Sequence, residues 1–139
     1  MLTIISIFIS MSFIGPFNKQ LDYTAFEKWI DNSFSVDLPQ GIEAFCINIY
    51  DDGKGNYSAE LVGAGSFDAD DSDWDCDEVF TNRGNPLRWK SRQSWEEVLK
   101  NVQEVLEKYL SKGRYAPLML SKKGIGAGFV DGDLVLVRK

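Results

Sequence analysis

The side chains best suited to chemistry in this sequence are concentrated in one acidic stretch, residues 67–78. This stretch, FDADDSDWDCDE, holds seven carboxylates and no basic residue, and Trp74 stands among the acids. The chain has a net charge of −6, and without these seven carboxylates the remainder would carry +1. The acidity is therefore a local feature, and a function based on charge would be located here.

Catalysis is the first possibility, and the residue types argue against it. The chain has no histidine, the side chain most often used for proton transfer near neutral pH. Cys46 and Cys76 therefore have no histidine to activate them, and no GxSxG motif is present. A catalytic carboxylate pair needs one buried and one solvated member, so that their pKa values separate. A run of exposed acids offers no such asymmetry, so we expect no catalytic residues and a protein that is not an enzyme.

A calcium site is the second possibility. An EF-hand loop needs oxygen ligands at positions 1, 3 and 5, glycine at position 6 and glutamate at position 12. A loop that starts at Asp68 has Asp73 at position 6 and Val79 at position 12, and one that starts at Asp71 also fails at both positions. We therefore expect no metal ligands and no cofactor. A small carboxylate-dependent enzyme or metal-binding protein that uses residues 68–78 is the alternative.

Recognition of a basic protein is the third possibility and the one we prefer. A concentrated acidic patch speeds encounter with a positive surface, and Trp74 would add an apolar anchor. Nucleic acid would be repelled by the same charges, so we expect no nucleic-acid partner. A basic run at residues 83–92 would neutralise part of the loop, and a solvated loop without a partner is the simpler alternative. The residues expected to contact the partner are Asp68, Asp70, Asp71, Asp73, Trp74, Asp75, Asp77 and Glu78.

The segment with the clearest structural signal is a long amphipathic helix at residues 94–112. Its apolar positions form one stripe with a period of 3.6 residues, and the stripe begins at Trp95, which we expect to be buried with it. Ser94 and Glu97 have the spacing of a capping box at the start. Gly113 can end the helix in the left-handed conformation. A stripe of this width predicts packing on a sheet or on another helix.

The remaining elements are one shorter helix and two hairpins. Asp22 can cap a helix that ends near Asn32. Strands at residues 43–50 and 57–64 flank a turn rich in Asp and Gly, and a second hairpin turns at Asp131-Gly132. Residues 134–137 are all apolar, which predicts a central strand covered on both faces.

Three glycines at positions 124, 126 and 128 recur with a period of two. They do not form a phosphate-binding loop, because such loops follow a strand and open a helix, whereas these glycines lead into a hairpin. All three should face the same side of their strand, where they would let a helix or an aromatic ring approach the backbone closely.

The length of 139 residues predicts a single domain, residues 1–139. Residues 1–17 are apolar and uncharged, but they are short for a bilayer span, are interrupted by Gly15-Pro16 and lack a basic start. A signal or anchor, translation from upstream of a true start at Met11, and a strand are the open explanations for them. Two cysteines in unlike surroundings do not make a disulfide framework, so we expect free thiols, a cytoplasmic protein and no membrane partner.

Three segments together resemble the bacterial immunity proteins of polymorphic or contact-dependent growth inhibition toxin systems. They are FDADDSDWDCDEVF, SWEEVLKNVQEVLEKYL and GIGAGFVDGDLVLV. The resemblance implies a non-catalytic protein that blocks a cognate toxin, for example a nuclease, by masking or distorting its active site. The fold expected from the elements is α+β: a mainly antiparallel sheet of two hairpins, with two helices packed on one face.

Overall fold

A six-stranded sheet forms the centre of the protein, in a computed structural model that describes residues 20–139. The proposals for residues 1–17 lie outside the described residues. Along the sheet the strand order is β3-β2-β1-β5-β6, and β4 also pairs with β2, beyond the end of β3. The strands are β1 (Ala44–Gly53), β2 (Asn56–Ala64), β3 (Glu78–Thr81), β4 (Leu87–Lys90), β5 (Gly124–Phe129) and β6 (Val135–Arg138).

Both predicted hairpins are present. β1 and β2 are antiparallel, with Ile47 opposite Leu61, and their turn runs through positive φ angles at Gly53, Lys54 and Gly55. β5 and β6 form the second antiparallel hairpin. The two hairpins are joined by a parallel pairing between β1 and β5, while all other pairings are antiparallel. The mainly antiparallel α+β fold is therefore confirmed, with β3 and β4 as additions that the sequence did not predict.

In the described part of the chain the two long helices are α1 (Tyr23–Ser33) and α2 (Trp95–Lys112). At the start of α1 the Asp22 carboxylate accepts a hydrogen bond from the Ala25 N–H at 3.2 Å. At the start of α2 both hydrogen bonds of the predicted capping box are present. A third helix, α3 (Ala116–Leu120), is a short turn that the sequence did not predict.

Both long helices pack on the same face of the sheet, as expected. This helix-covered face holds the larger core, to which β1 contributes Phe45, Ile47 and Ile49 and α2 contributes Leu106. All four are completely buried. At its polar edge, the Asn101 side chain accepts a hydrogen bond from the Leu21 N–H at 2.8 Å.

Gly113 corrects one expectation about how α2 ends. Its backbone is extended (φ −69°, ψ 153°), not left-handed. A Cβ atom at this position would lie 2.5 Å from the ring of Tyr109. Glycine is thus required for space, since the Tyr109 hydroxyl reaches past it to donate to Asp31 at 2.6 Å and to accept from the Tyr115 N–H.

β6 and Trp95 correct two further expectations about burial. β6 is an edge strand; Val135, Leu136 and Val137 are only half-buried, and Arg138 is exposed. Val137 packs on the helix-covered core and Leu136 on the opposite face, so the apolar run has contacts on both faces of the sheet. Trp95 is 59% exposed and not part of the buried stripe, since the first residue of α2 overhangs the β5–β6 turn, where its ring meets Phe129.

Candidate functional site

The acidic stretch forms a closed loop on the face of the sheet opposite the helices. We call residues 65–78 the acidic loop. Its ends are joined by a hydrogen bond of 2.7 Å from the Gly65 N–H to the Asp77 carbonyl. Within it, the Asp68 carboxylate accepts from the Asp70 N–H and the Asp71 carboxylate from the Asp73 N–H, each at 2.9 Å. These are Asx-turns, so two of the acids have a structural role, because they fold the loop locally.

The turn formed by Trp74–Cys76 aims the indole of Trp74 inward, onto the sheet. Trp74 is 4% exposed and packs edge-on against Phe67, with 5.1 Å between ring centroids. A Cβ atom on Gly126 would lie 3.2 Å from the Trp74 ring, and one on Gly124 would overlap the Phe67 ring. The predicted close approach of aromatic rings to the glycine positions is therefore confirmed at two of the three glycines.

This packing contradicts the expectation that Trp74 is an anchor for a partner. Its ring is the largest member of a second core formed with Ala44, Cys46, Val62 and Ala64. Those four side chains are small, and the large ring of Trp74 fills the space above them. Trp74 consequently holds the loop to the sheet and is not available on the surface.

The carboxylates of the acidic loop remain on the surface. Asp75 is half-buried, and the other six are exposed. Of these seven carboxylates, only that of Glu78 forms an ion pair with a residue of the described range 20–139, namely Arg83 at 2.8 Å. The expected neutralisation by the following basic run is thus confirmed for one residue, Arg83. The loop presents a negative surface with its backbone fixed by turns, a closing hydrogen bond, the buried ring of Trp74 and the half-buried ring of Phe67.

A charged network that the sequence analysis missed lies beside the loop. Glu60 is 1% exposed, in the middle of β2. Its carboxylate accepts from Arg83 Nε at 2.7 Å, from the Tyr50 hydroxyl at 2.6 Å and from Asn48 Nδ2 at 3.4 Å. Burial alone would raise the pKa of Glu60, but these donors outweigh it and hold the pKa below its usual value. The signal was present in the sequence: a glutamate within an apolar strand, on the face opposite Leu61, needs a buried partner.

A cleft of about 230 Å³ separates the acidic loop from the β5–β6 turn, and Asp75 and Glu60 both line it. Partial burial, together with the charges of Asp73 and Glu78, raises the pKa of Asp75. The pKa values of the two carboxylates are therefore shifted in opposite directions.

The thiols near the cleft are not activated. Burial raises the pKa of Cys46 well above its usual value and, with the neighbouring acids, raises that of Cys76. Both thiols are free, and both therefore stay protonated at neutral pH. In the part of the chain that the structure describes, no group of three or more carboxylate or thiol side chains is placed to hold a metal ion.

No protein-family model matches the chain, and no curated protein or solved structure matches it. Between residues 20 and 139, no helix has the length and apolar character needed to cross a membrane.

Proposed function

We propose that this protein is a non-catalytic binding protein, a cytoplasmic immunity protein that neutralises a basic toxin such as a nuclease by masking its active site. One observation carries the proposal. The six exposed carboxylates of the acidic loop stand on a backbone held in place by Trp74 and Phe67, and of these six only Glu78 has a basic partner within residues 20–139.

The physical argument is one of preorganised charge. A surface with several like charges attracts an opposite surface over about 8–10 Å at physiological ionic strength and speeds association. Because the loop is already folded, little conformational entropy is lost when a partner binds. A nuclease is a fitting partner, since a surface that binds the phosphates of nucleic acid is itself positive.

Co-expression with the product of a neighbouring toxin-like reading frame tests the proposal. We expect the wild-type protein to restore growth and the variant Asp70→Asn/Asp71→Asn/Asp73→Asn to protect less. Asparagine keeps the oxygen that accepts the Asx-turn hydrogen bond at position 71, so the variant should fold.

A matched control removes three exposed acids outside the loop: Asp22→Asn/Asp37→Asn/Glu104→Gln. Asparagine is also a good helix N-cap, so α1 should keep its start. Equal protection by the loop variant and this control would contradict a binding role for the acidic loop.

The alternative, a small enzyme or metal-dependent protein using the same carboxylates, is favoured by one observation. Asp75 and Glu60 line one cleft with pKa values shifted in opposite directions, as paired catalytic carboxylates require. Against it, the Glu60 carboxylate is already occupied by Arg83, Tyr50 and Asn48. Titration with neutral oligosaccharides, followed by amide chemical shifts, distinguishes the two: saturable shifts centred on this cleft would favour the enzyme.

A further inference from the structure

An apolar groove lies between the start of α2 and the β5–β6 turn. Its volume is about 620 Å³, and its walls include Trp95, Leu99, Phe129 and Val130. Trp95 is 59% exposed and Val130 is 44% exposed. The Trp95 ring stands edge-on to Phe129, with 6.3 Å between centroids, so the exposed ring is supported in one position. An exposed tryptophan beside a groove is typical of the anchor positions of protein interfaces.

The rim of the groove is acidic. Asp51, Asp131 and Asp133 line it, and all three are exposed. In the described part of the chain none of them forms an ion pair. A bound segment would therefore bury an apolar side chain between the apolar walls of the groove. The residues on either side of that side chain would lie next to the negative charges of the rim. A second copy of this chain would bring acid against acid at the rim, which disfavours it as the occupant.

The groove also adjoins the cleft that lies beside the acidic loop. Phe129, Val130 and Gly132 line both the groove and the cleft beside the loop. The β5–β6 turn thus separates two negative surfaces by the width of one hairpin. A single partner can contact both, taking long-range attraction from the loop and apolar burial from the groove.

We propose that this groove is the docking site for a basic protein segment that inserts a large apolar side chain against Trp95, with flanking lysine or arginine residues beside Asp131 and Asp133. The positive character of the partner rests on the function proposed above. Trp95 then supplies the apolar anchor that the buried Trp74 cannot.

The probe is a synthetic peptide with a central phenylalanine and two lysines on each side. Two matched peptides replace the phenylalanine by alanine or the lysines by glutamates. Titrated into the isotopically labelled protein, the first peptide should cause saturable amide shifts at Leu99 and residues 129–135. Its affinity should fall by about 10-fold or more for Trp95→Ala and for the alanine peptide, as for the loss of an interface anchor.

Two further variants make the result specific. Asp131→Asn/Asp133→Asn should weaken binding mainly at low salt, because exposed charges are screened at higher ionic strength. Val36→Ala removes a comparably exposed apolar side chain outside the groove and should change nothing. Shifts that are equal for the phenylalanine and alanine peptides, or an absence of saturable shifts in the groove, would overturn the proposal. So would a wild-type dimer in sedimentation that Trp95→Ala converts to monomer, because the occupant would then be a second copy.

The same variants separate this proposal from the proposed function. If Trp95→Ala still protects fully against the candidate toxin while the three-asparagine loop variant does not, the groove proposal fails and the immunity function stands. If the phenylalanine peptide binds the groove but the loop variant protects normally, the groove stands and the role of the acidic loop fails.

Discussion

The two faces of the sheet are covered in different ways, and the difference explains where function can reside. The helix-covered face is filled by large aliphatic and aromatic side chains such as Phe45 and Leu106. The opposite face carries alanine, cysteine, valine and glycine, on which a polar loop is held by the rings of Trp74 and Phe67. The first face stabilises the fold. The second face holds the carboxylate-rich acidic loop in a fixed position on the surface.

The largest expected effect lies on the helix-covered face. Leu106 is completely buried in α2, so Leu106→Ala should lower the free energy of unfolding by about 2–5 kcal/mol through lost burial and the cavity left behind. Lys100, on the exposed side of the same helix, should tolerate replacement by alanine within about 0.5 kcal/mol. Chemical denaturation of both variants measures the difference, and equal stabilities would contradict this assignment of the buried side.

Gly124→Ala should have a smaller and more local effect on the loop-covered face. The added Cβ overlaps the Phe67 ring, so the ring must move, at a cost of about 1–3 kcal/mol. Hydrogen exchange should quicken at Gly65 and Asp73 in the acidic loop, with little change in α2. Gly84→Ala is the control, because a Cβ there meets no atom within 4 Å. Uniform acceleration across both faces would show that the loop is not a separate unit.

The Glu60 network should give the loop-covered face a dependence on acid. The folded pKa of Glu60 lies below its ordinary value of 4.5, so its contribution to stability is complete above that pH and is lost as pH falls through the folded pKa. Glu60→Gln should cost about 1–2 kcal/mol at neutral pH, and this difference from wild type should shrink below about pH 4.5. Denaturation curves recorded from about pH 3 to about pH 7, a range that covers the titration of carboxylates, measure this difference. A difference that stays constant would show that Glu60 is not ionised in the fold.

Calcium should have the smallest effect. Neither possible register of the acidic loop supplies the glycine and the bidentate glutamate of an EF-hand, and exposed carboxylates alone attract the ion only weakly. Calorimetric titration at physiological ionic strength should therefore show no tight site. Binding in the micromolar range would raise the metal-dependent alternative above the binding function.

The sequence predicted those elements whose signals are local. The capping box of Ser94 and Glu97 and the apolar stripe of α2 are contained within one helix, and the hairpin turns are marked by Asp and Gly. β3 and β4 were missed because each has four residues and gains its hydrogen bonds only from β2. Their pairing depends on tertiary contacts, for which the local sequence of a short segment carries no signal.

For Trp74 and Trp95 the local sequence did not predict whether the side chain is buried or exposed. Trp74 lies among aspartates, and its burial depends on distant glycines in β5 that leave room for its ring. Trp95 continues the apolar stripe of α2, yet nothing in the described part of the chain covers it beyond Phe129 and its groove neighbours. The sequence pattern located both residues in the correct elements but assigned their exposure the wrong way round. The 3.6-residue period shows on which side of a helix a residue lies. It does not show how far along the helix the packed surface extends.

The most direct test of the central claim is the association rate with the candidate toxin as a function of salt. Wild type and the variant Asp70→Asn/Asp71→Asn/Asp73→Asn should differ most at low ionic strength and converge as salt rises, because the exposed charges act at long range and are screened. The control variant Asp22→Asn/Asp37→Asn/Glu104→Gln has the same net charge as the loop variant. Its association rate should nevertheless lie close to that of wild type. A loop variant that associates as fast as this control at every salt concentration would contradict the claim that the acidic loop recognises a basic partner.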